Sequence, residues 1–72
     1  KKEIEDFIFE RMTSGTAQIT DDTVQSDQDF EKLILAYDYA IRRNSAFAVK
    51  EEDGDLIDNG RYKYPKLTFT RK

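Results

Sequence analysis

Basic and aromatic side chains alternate in the last twelve residues, which read RYKYPKLTFTRK. This segment, residues 61–72, holds five positive side chains, two tyrosines and one phenylalanine, and it holds no carboxylate. Cations that reach phosphates and aromatic rings that stack on bases are the groups that a nucleic-acid surface needs. The candidate nucleic-acid face comprises Arg42, Arg43, Arg61, Lys63, Lys66, Arg71 and Lys72.

Acidic side chains dominate the rest of the chain, because residues 1–60 hold all fifteen acids and only seven bases. The segment EEDGDLID, residues 51–58, carries some of the carboxylates that a calcium-binding loop needs. Asp53 and Asp55 would occupy its first and third positions, but Ile57 occupies the fifth, and Asp58 occupies the sixth, where glycine is needed. We therefore expect a solvated acidic turn here and no metal site.

Residue types that commonly carry catalysis are missing. The chain has no cysteine and no histidine, which excludes thiolate ligands, zinc-histidine sites and imidazole acid–base chemistry. The adjacent carboxylates at 21–22 and 51–52 lie in turn-like segments, where they are expected to stay hydrated. We expect no enzymatic activity and no cofactor. No apolar run approaches the roughly twenty residues of a membrane helix, so a cytoplasmic location is the default expectation.

Seventy-two residues predict one small domain, 1–72, whose elements are indicated by the spacing of its apolar residues. Ile4, Phe7, Ile8 and Met12 recur at helical spacing, which predicts a first helix over residues 1–12. Gly15 follows as its stop signal.

The segment from Ser26 to Asn44 carries the clearest helical pattern. Ser26 is the predicted N-cap, with Asp29 reaching back to it, and Asn44 is the predicted C-terminal stop. Asp38 and Arg42 form an i,i+4 pair on its surface. The face predicted to enter the core comprises Phe30, Leu33, Ile34, Tyr37 and Ile41.

Three further segments are candidates for strands. Residues 16–20 are a candidate short strand, and residues 46–50 alternate between apolar and outward-pointing positions. Residues 61–70 also alternate, but the parity changes at Pro65, which predicts a bulge in an edge strand. That bulge would place the apolar residues on both sides of Pro65 on one face.

Two turn signals leave the pairing of these strands open. Asn59-Gly60 predicts a two-residue hairpin turn with positive φ at both positions, and Asp53-Gly54 is a second candidate turn. Used together, they give a three-stranded meander with a middle strand at 55–58. Used alone, Asn59-Gly60 ends a long acidic loop in a C-terminal hairpin.

The fold class predicted from these elements is α+β, with two α-helices packed on a small antiparallel β-sheet. The element order is helix, candidate strand, helix, strand, candidate middle strand, strand. The predicted core comprises Ile4, Phe7, Ile8, Phe30, Leu33, Ile34, Tyr37, Ile41, Phe47, Val49, Tyr62, Tyr64, Leu67 and Phe69.

This order resembles that of a winged-helix DNA-binding domain, although one of the three helices of that fold is missing. The charges oppose the nucleic-acid function that the resemblance implies. The second helix opens with Asp27, Asp29 and Glu31, and the would-be wing is also acidic. Carboxylates near a phosphate backbone oppose the counterion release that drives binding. We expect no nucleic-acid binding tighter than the micromolar, non-specific range at physiological salt.

Phe9, Leu35, Tyr39 and Arg42 lie off the two predicted core faces. An aromatic, an aliphatic and an arginine side chain in one patch are residue types enriched at protein interfaces. The sequence therefore predicts a small non-catalytic protein-binding or regulatory accessory module of bacterial or mobile-element type, which uses this patch for a protein partner or for self-association. The alternative is a winged-helix-like nucleic-acid-binding protein that uses the basic C-terminal strand. If helix two is instead covered on both faces, the patch belongs to the core.

Overall fold

The computed structural model describes residues 2–52 and 54–72, and it confirms the α+β class. Two helices pack against each other and against a three-stranded antiparallel sheet, and a second, two-stranded sheet adjoins them. In chain order the elements are α1 (Lys2–Phe9), β1 (Thr16–Gln18), α2 (Asp27–Ile41), β2 (Phe47–Glu51), β3 (Ile57–Asp58), β4 (Lys63–Tyr64) and β5 (Leu67–Arg71). No helix in this described part of the chain is long and apolar enough to cross a membrane.

The C-terminal strand β5 is the centre of the larger sheet, whose order is β1-β5-β2. Phe69 lies opposite Ala17 of β1 and Val49 of β2. The prediction of an edge strand is therefore wrong for this segment. β1 pairs with the other edge of β5. This pairing joins residues some fifty positions apart in the sequence, so local sequence patterns cannot reveal it.

Pro65 marks a change of strand partner rather than a bulge within one ladder. β4, before Pro65, pairs with β3 in the two-stranded sheet, whereas β5, after it, pairs with β1 and β2. Of the four residues in the parity argument, Tyr64, Leu67 and Phe69 are nevertheless buried, and Tyr62 is half-buried. Of the two pairings left open by the sequence, the three-stranded meander does not form, because β3 pairs with β4 and does not lie between β2 and β5.

The turn between β3 and β4 is longer than predicted and is organised by the side chain of Asn59. The Asn59 carboxamide oxygen accepts hydrogen bonds from the backbone N–H groups of Arg61 (3.2 Å) and Tyr62 (2.8 Å). Positive φ occurs at Gly60 (89°) and not at Asn59, so the two-residue turn with two positive φ angles does not form. The candidate turn at Asp53-Gly54 lies partly outside the described residues, because Asp53 is not among them.

A two-residue turn of that kind does occur at another place, between α1 and β1. Ser14 and Gly15 have φ angles of 55° and 78°, and Thr13 and Thr16 exchange backbone hydrogen bonds of 2.8 and 3.1 Å around them. Gly15 thus serves a hairpin turn, and α1 itself ends earlier, at Phe9. The Arg11 guanidinium lies over the Phe7 ring and donates to the Phe7 carbonyl oxygen, which satisfies one of the open carbonyls of the helix end.

The ends of α2 follow local sequence signals closely. The Ser26 hydroxyl accepts from the backbone N–H of Asp29 at 3.1 Å, as predicted, while the Asp29 carboxylate accepts from the N–H of Gln25 instead of the cap residue. At the other end Arg43, and not Asn44, takes the left-handed conformation (φ 58°). The Arg43 N–H donates to the carbonyl oxygen of Ala40, and the Asn44 N–H donates to the carbonyl oxygen of Tyr39. These two hydrogen bonds end the helix in a Schellman motif.

The face of α2 that enters the core is rotated from the predicted one. Leu33, Ala36 and Ala40 are buried, whereas Ile34 and Ile41 are 51% and 53% exposed. The prediction that Ile34 and Ile41 belong to the core is therefore wrong. Two of these three buried positions are alanines, whose small side chains leave room for the elements that pack against α2. The buried core comprises Ile4, Phe7, Ile8, Ala17, Ile19, Val24, Leu33, Ala36, Ala40, Phe47, Tyr64, Leu67 and Phe69.

Candidate functional site

An apolar groove lies between α2 and the chain segment that links β4 to β5. Its volume is about 290 Å³. Pockets for small ligands and cofactors range from about 300 to 1,000 Å³, so this space lies at the lower end of that range and is large enough for one or two side chains of a partner. We call it the α2 groove; it is lined by Phe30, Leu33, Ile34, Tyr37, Glu51, Tyr64, Pro65 and Leu67.

One wall of the α2 groove is a row of apolar residues that continues to the end of α2. Phe30, Ile34, Tyr37 and Ile41, which we call the α2 seam, follow one another at spacings of four, three and four residues. Such spacing keeps successive side chains on one helix face and is the pattern by which helices pack side by side. Phe30 and Tyr37 are half-buried, and the two isoleucines are the most exposed, so the seam is open to solvent along much of its length.

The N-terminal end of the α2 groove is closed by stacked aromatic rings. Phe30 stacks on Tyr62 with ring centroids 5.1 Å apart, and its ring is 6.4 Å from that of Tyr64. The Tyr62 hydroxyl donates to the Asp27 carboxylate, which also pairs with the Arg61 guanidinium at 3.4 Å. The hydrogen bond to Asp27 raises the pKa of Tyr62, because ionisation would place two negative charges together. The turn between β3 and β4 is thereby attached to the start of α2.

A solvent-exposed carboxylate lines the opposite end of the α2 groove. The Glu51 side chain accepts a hydrogen bond of 3.0 Å from the Tyr37 hydroxyl. This hydrogen bond and the negative charge of Glu51 raise the pKa of Tyr37 above its usual value. Within the described part of the chain, no lysine or arginine forms an ion pair with Glu51. The apolar surface thus carries a negative group that is not neutralised by a neighbouring base.

Comparison with known families identifies the chain more closely. The family model described as Wadjet protein JetA matches residues 1–72, which is the full length given. The chain belongs to the JetA family. Neither the curated proteins nor the solved structures contain a match.

In this JetA chain, the interface residues predicted from sequence do not form one exposed patch. Phe9, Leu35 and Tyr39 are half-buried and pack against the core. The Phe9 ring meets Phe47 edge-on at 4.7 Å, and the Arg71 guanidinium lies over the Phe9 ring at 5.3 Å. Arg42 is exposed and pairs with Asp38 at 3.1 Å, as the i,i+4 spacing predicted. As a binding surface these residues stay a prediction, and the larger exposed apolar area of α2 lies on its other side.

Most of the basic residues predicted to contact nucleic acid are paired with acids in this JetA chain. Four of the seven candidate nucleic-acid contacts form ion pairs at 3.1 to 3.6 Å: Arg42 with Asp38, Arg61 with Asp27, Lys63 with Asp58 and Lys66 with Glu52. A phosphate would have to compete with each of these carboxylates. Arg71 lies over an aromatic ring, and Arg43 and Lys72 are exposed. This distribution disfavours the nucleic-acid alternative.

Sequence reasoning treated the residues of the α2 groove as core and did not foresee a surface there. Two signals could have found it. The first is the four-three-four spacing of the α2 seam, which is typical of helix-to-helix packing. The second is the pair Ala36 and Ala40, because two small residues four positions apart mark the side where another element approaches closely. Together they separate an inward face from an outward apolar one.

Proposed function

We propose that this chain is a non-catalytic protein-binding module within the JetA family, and that the α2 groove is the surface that binds. The observation that carries the proposal is the exposure of Ile34 and Ile41 on a continuous apolar seam beside a groove of side-chain size. Exposed, contiguous apolar surface next to a concavity is characteristic of protein interaction sites.

The family supplies the setting of the proposal. A Wadjet protein belongs to a bacterial anti-plasmid system, and a component of such a system meets other proteins. We assign this chain an accessory role in that system, in which it holds a partner protein and leaves the chemistry to other components. The partner is therefore sought among the other Wadjet proteins.

The test measures binding of the purified chain to each of the other Wadjet proteins by biolayer interferometry. In the variant Ile34→Asp, a charge would have to be buried in the interface, so affinity should fall at least about thirtyfold, the size of a typical hot-spot loss. Leu56→Asp is the matched control, because Leu56 is equally exposed (55%) and lies outside the α2 groove. Circular dichroism confirms that both variants are folded. Equal binding by wild type and Ile34→Asp would contradict the proposal.

A further inference from the structure

We infer that the α2 groove accepts an amphipathic helix of its partner protein, with lysine or arginine along one flank of that helix. The inference rests on the proposed function and deepens it by naming the chemistry of the occupant. Three features of the groove lead to it: the spacing of the seam, the backbone of the opposite wall, and the surplus of negative charge.

The spacing of the α2 seam matches a helix. From Phe30 to Ile41 it extends over eleven residue steps, or about 16 Å at 1.5 Å per residue. A second helix lying along the seam would present apolar anchor residues at i, i+3, i+4 and i+7, which match the spacing of the seam side chains. Helix-in-groove recognition of this kind places apolar anchors in the groove and polar residues at its edges.

The opposite wall favours a helix over an extended peptide. An extended peptide gains affinity by hydrogen bonding to an open strand edge. One side of the α2 groove is a helix, whose backbone groups are already paired, and the other includes Pro65, which has no N–H to donate. An extended peptide lying against α2 and Pro65 would therefore leave its own backbone groups unpaired along these two walls, whereas a helix satisfies them internally.

The charges around the α2 groove call for a cationic flank. Glu31 lies beside the seam on its solvent side, together with Asp38, which pairs with Arg42, and the exposed Glu51 side chain lines the groove. The nearby bases Arg42, Arg61 and Lys66 each already pair with an acid. In the part of the chain that is described, neither Glu31 nor Glu51 forms an ion pair. Covering Glu51 with an apolar surface alone would bury an uncompensated charge, which a lysine or arginine of the partner would neutralise.

The same charges argue against a second copy of this chain as the occupant. If α2 packed along α2 of another copy in antiparallel orientation, the two flanks that carry Glu31 and the Asp38–Arg42 ion pair would face each other, each with a net negative charge. Like charges across a helix pair select against that pairing and in favour of a partner of opposite charge. A basic helix of a different protein is the occupant that the groove fits.

The probe is a fluorescein-labelled synthetic peptide of about 18 residues, enough for about five helical turns. It carries leucine at the a and d positions of the heptad and lysine at the flanking e and g positions. Two control peptides differ in one respect each: one has glutamate in place of lysine, and the other has a central proline that breaks the helix. Fluorescence anisotropy measures their binding to the 72-residue chain at low and at physiological salt. The protein variants are Ile34→Asp, Glu31→Lys combined with Glu51→Gln, and the control Glu3→Lys on α1, also an exposed glutamate.

We expect the basic peptide to bind, and both control peptides to bind at least about tenfold more weakly. The charge variant should lose about tenfold in affinity, the sum of a few surface ion pairs, and the loss should shrink at higher salt. Glu3→Lys should behave like wild type. Equal binding of the acidic or the proline peptide would overturn the inference, as would failure of the basic peptide to bind or a dimer of the chain in sedimentation. If Ile34→Asp abolishes binding of a Wadjet protein while the charge variant does not affect it, the proposed function stands and this inference fails.

Discussion

Replacing Leu33 and Ile34 separately with alanine tests which face of α2 enters the core. The two residues are adjacent, and each substitution removes three carbon atoms. Leu33 is only 2% exposed, whereas Ile34 is 51% exposed. At about 0.8 kcal/mol per buried carbon, complete removal of three buried carbons costs about 2.4 kcal/mol, and the cavity left at Leu33 raises its total to about 3–5 kcal/mol.

For Ile34 the same reasoning gives a much smaller loss. About half of the side chain is buried, which halves the transfer free energy to about 1.2 kcal/mol. No cavity forms, because water fills the space, and alanine is the better helix former by a few tenths of a kcal/mol. We therefore expect Ile34→Ala to reduce the free energy of unfolding by about 1 kcal/mol or less.

Urea unfolding followed by circular dichroism at 222 nm measures both changes. A domain of this size has at most about 3–5 kcal/mol of net stability. Leu33→Ala should therefore be largely unfolded without denaturant, or nearly so. Ile34→Ala should unfold cooperatively, with its midpoint lowered by about 1 M if the slope is about 1 kcal/mol per molar urea. Equal losses for the two variants, or a larger loss for Ile34→Ala, would refute the orientation of α2 described above.

Three further predictions test the links around this core. The Asn59 carboxamide donates to two backbone carbonyls of the loop before α2 (3.1 and 2.8 Å) and accepts from two N–H groups of its own turn. In urea titrations, Asn59→Ala should therefore lower the free energy of unfolding by about 1–3 kcal/mol, and a loss below about 0.5 kcal/mol would show that this attachment is unimportant. Burial, reinforced by nearby carboxylates, raises the pKa of Tyr64 above its usual value of about 10. The stability that the protonated Tyr64 hydroxyl contributes is therefore complete below pH 10 and is lost as pH rises through the raised pKa. Between pH 9 and 12 the free energy of unfolding should fall more steeply with pH for wild type than for Tyr64→Phe, and identical pH dependences would contradict this. Arg43 has a left-handed backbone conformation (φ 58°), which glycine adopts without the steric cost of a side chain. Arg43→Gly should therefore leave the free energy of unfolding unchanged or raise it by up to about 1 kcal/mol, whereas Arg43→Ala should not raise it. Thermal melts compare the two variants.

The local elements of this JetA chain could be predicted from its sequence because their causes lie within a few residues. The Ser26 hydroxyl accepts the hydrogen bond of an N–H three positions away, so the start of α2 is determined locally. Pro65 interrupts a strand wherever that strand lies, because it has no N–H. The burial of Tyr64, Leu67 and Phe69 agrees with the prediction from parity, although the bulge invoked for it does not form and Tyr62 is only half-buried. The α+β class and the order of elements rest on signals of this kind.

The placement of these elements was decided by the tertiary structure. α2 is apolar around most of its circumference, so periodicity alone could not choose between the face with Ile34 and the face with Ala36. The choice depends on how α1 and the sheet pack against α2, which the spacing within α2 does not encode. The central position of β5 likewise depends on β1, which is distant in sequence. The α2 groove results from the orientation of α2 together with the central position of β5. This arrangement leaves apolar residues of α2 at the surface, where α2 faces the chain around Pro65.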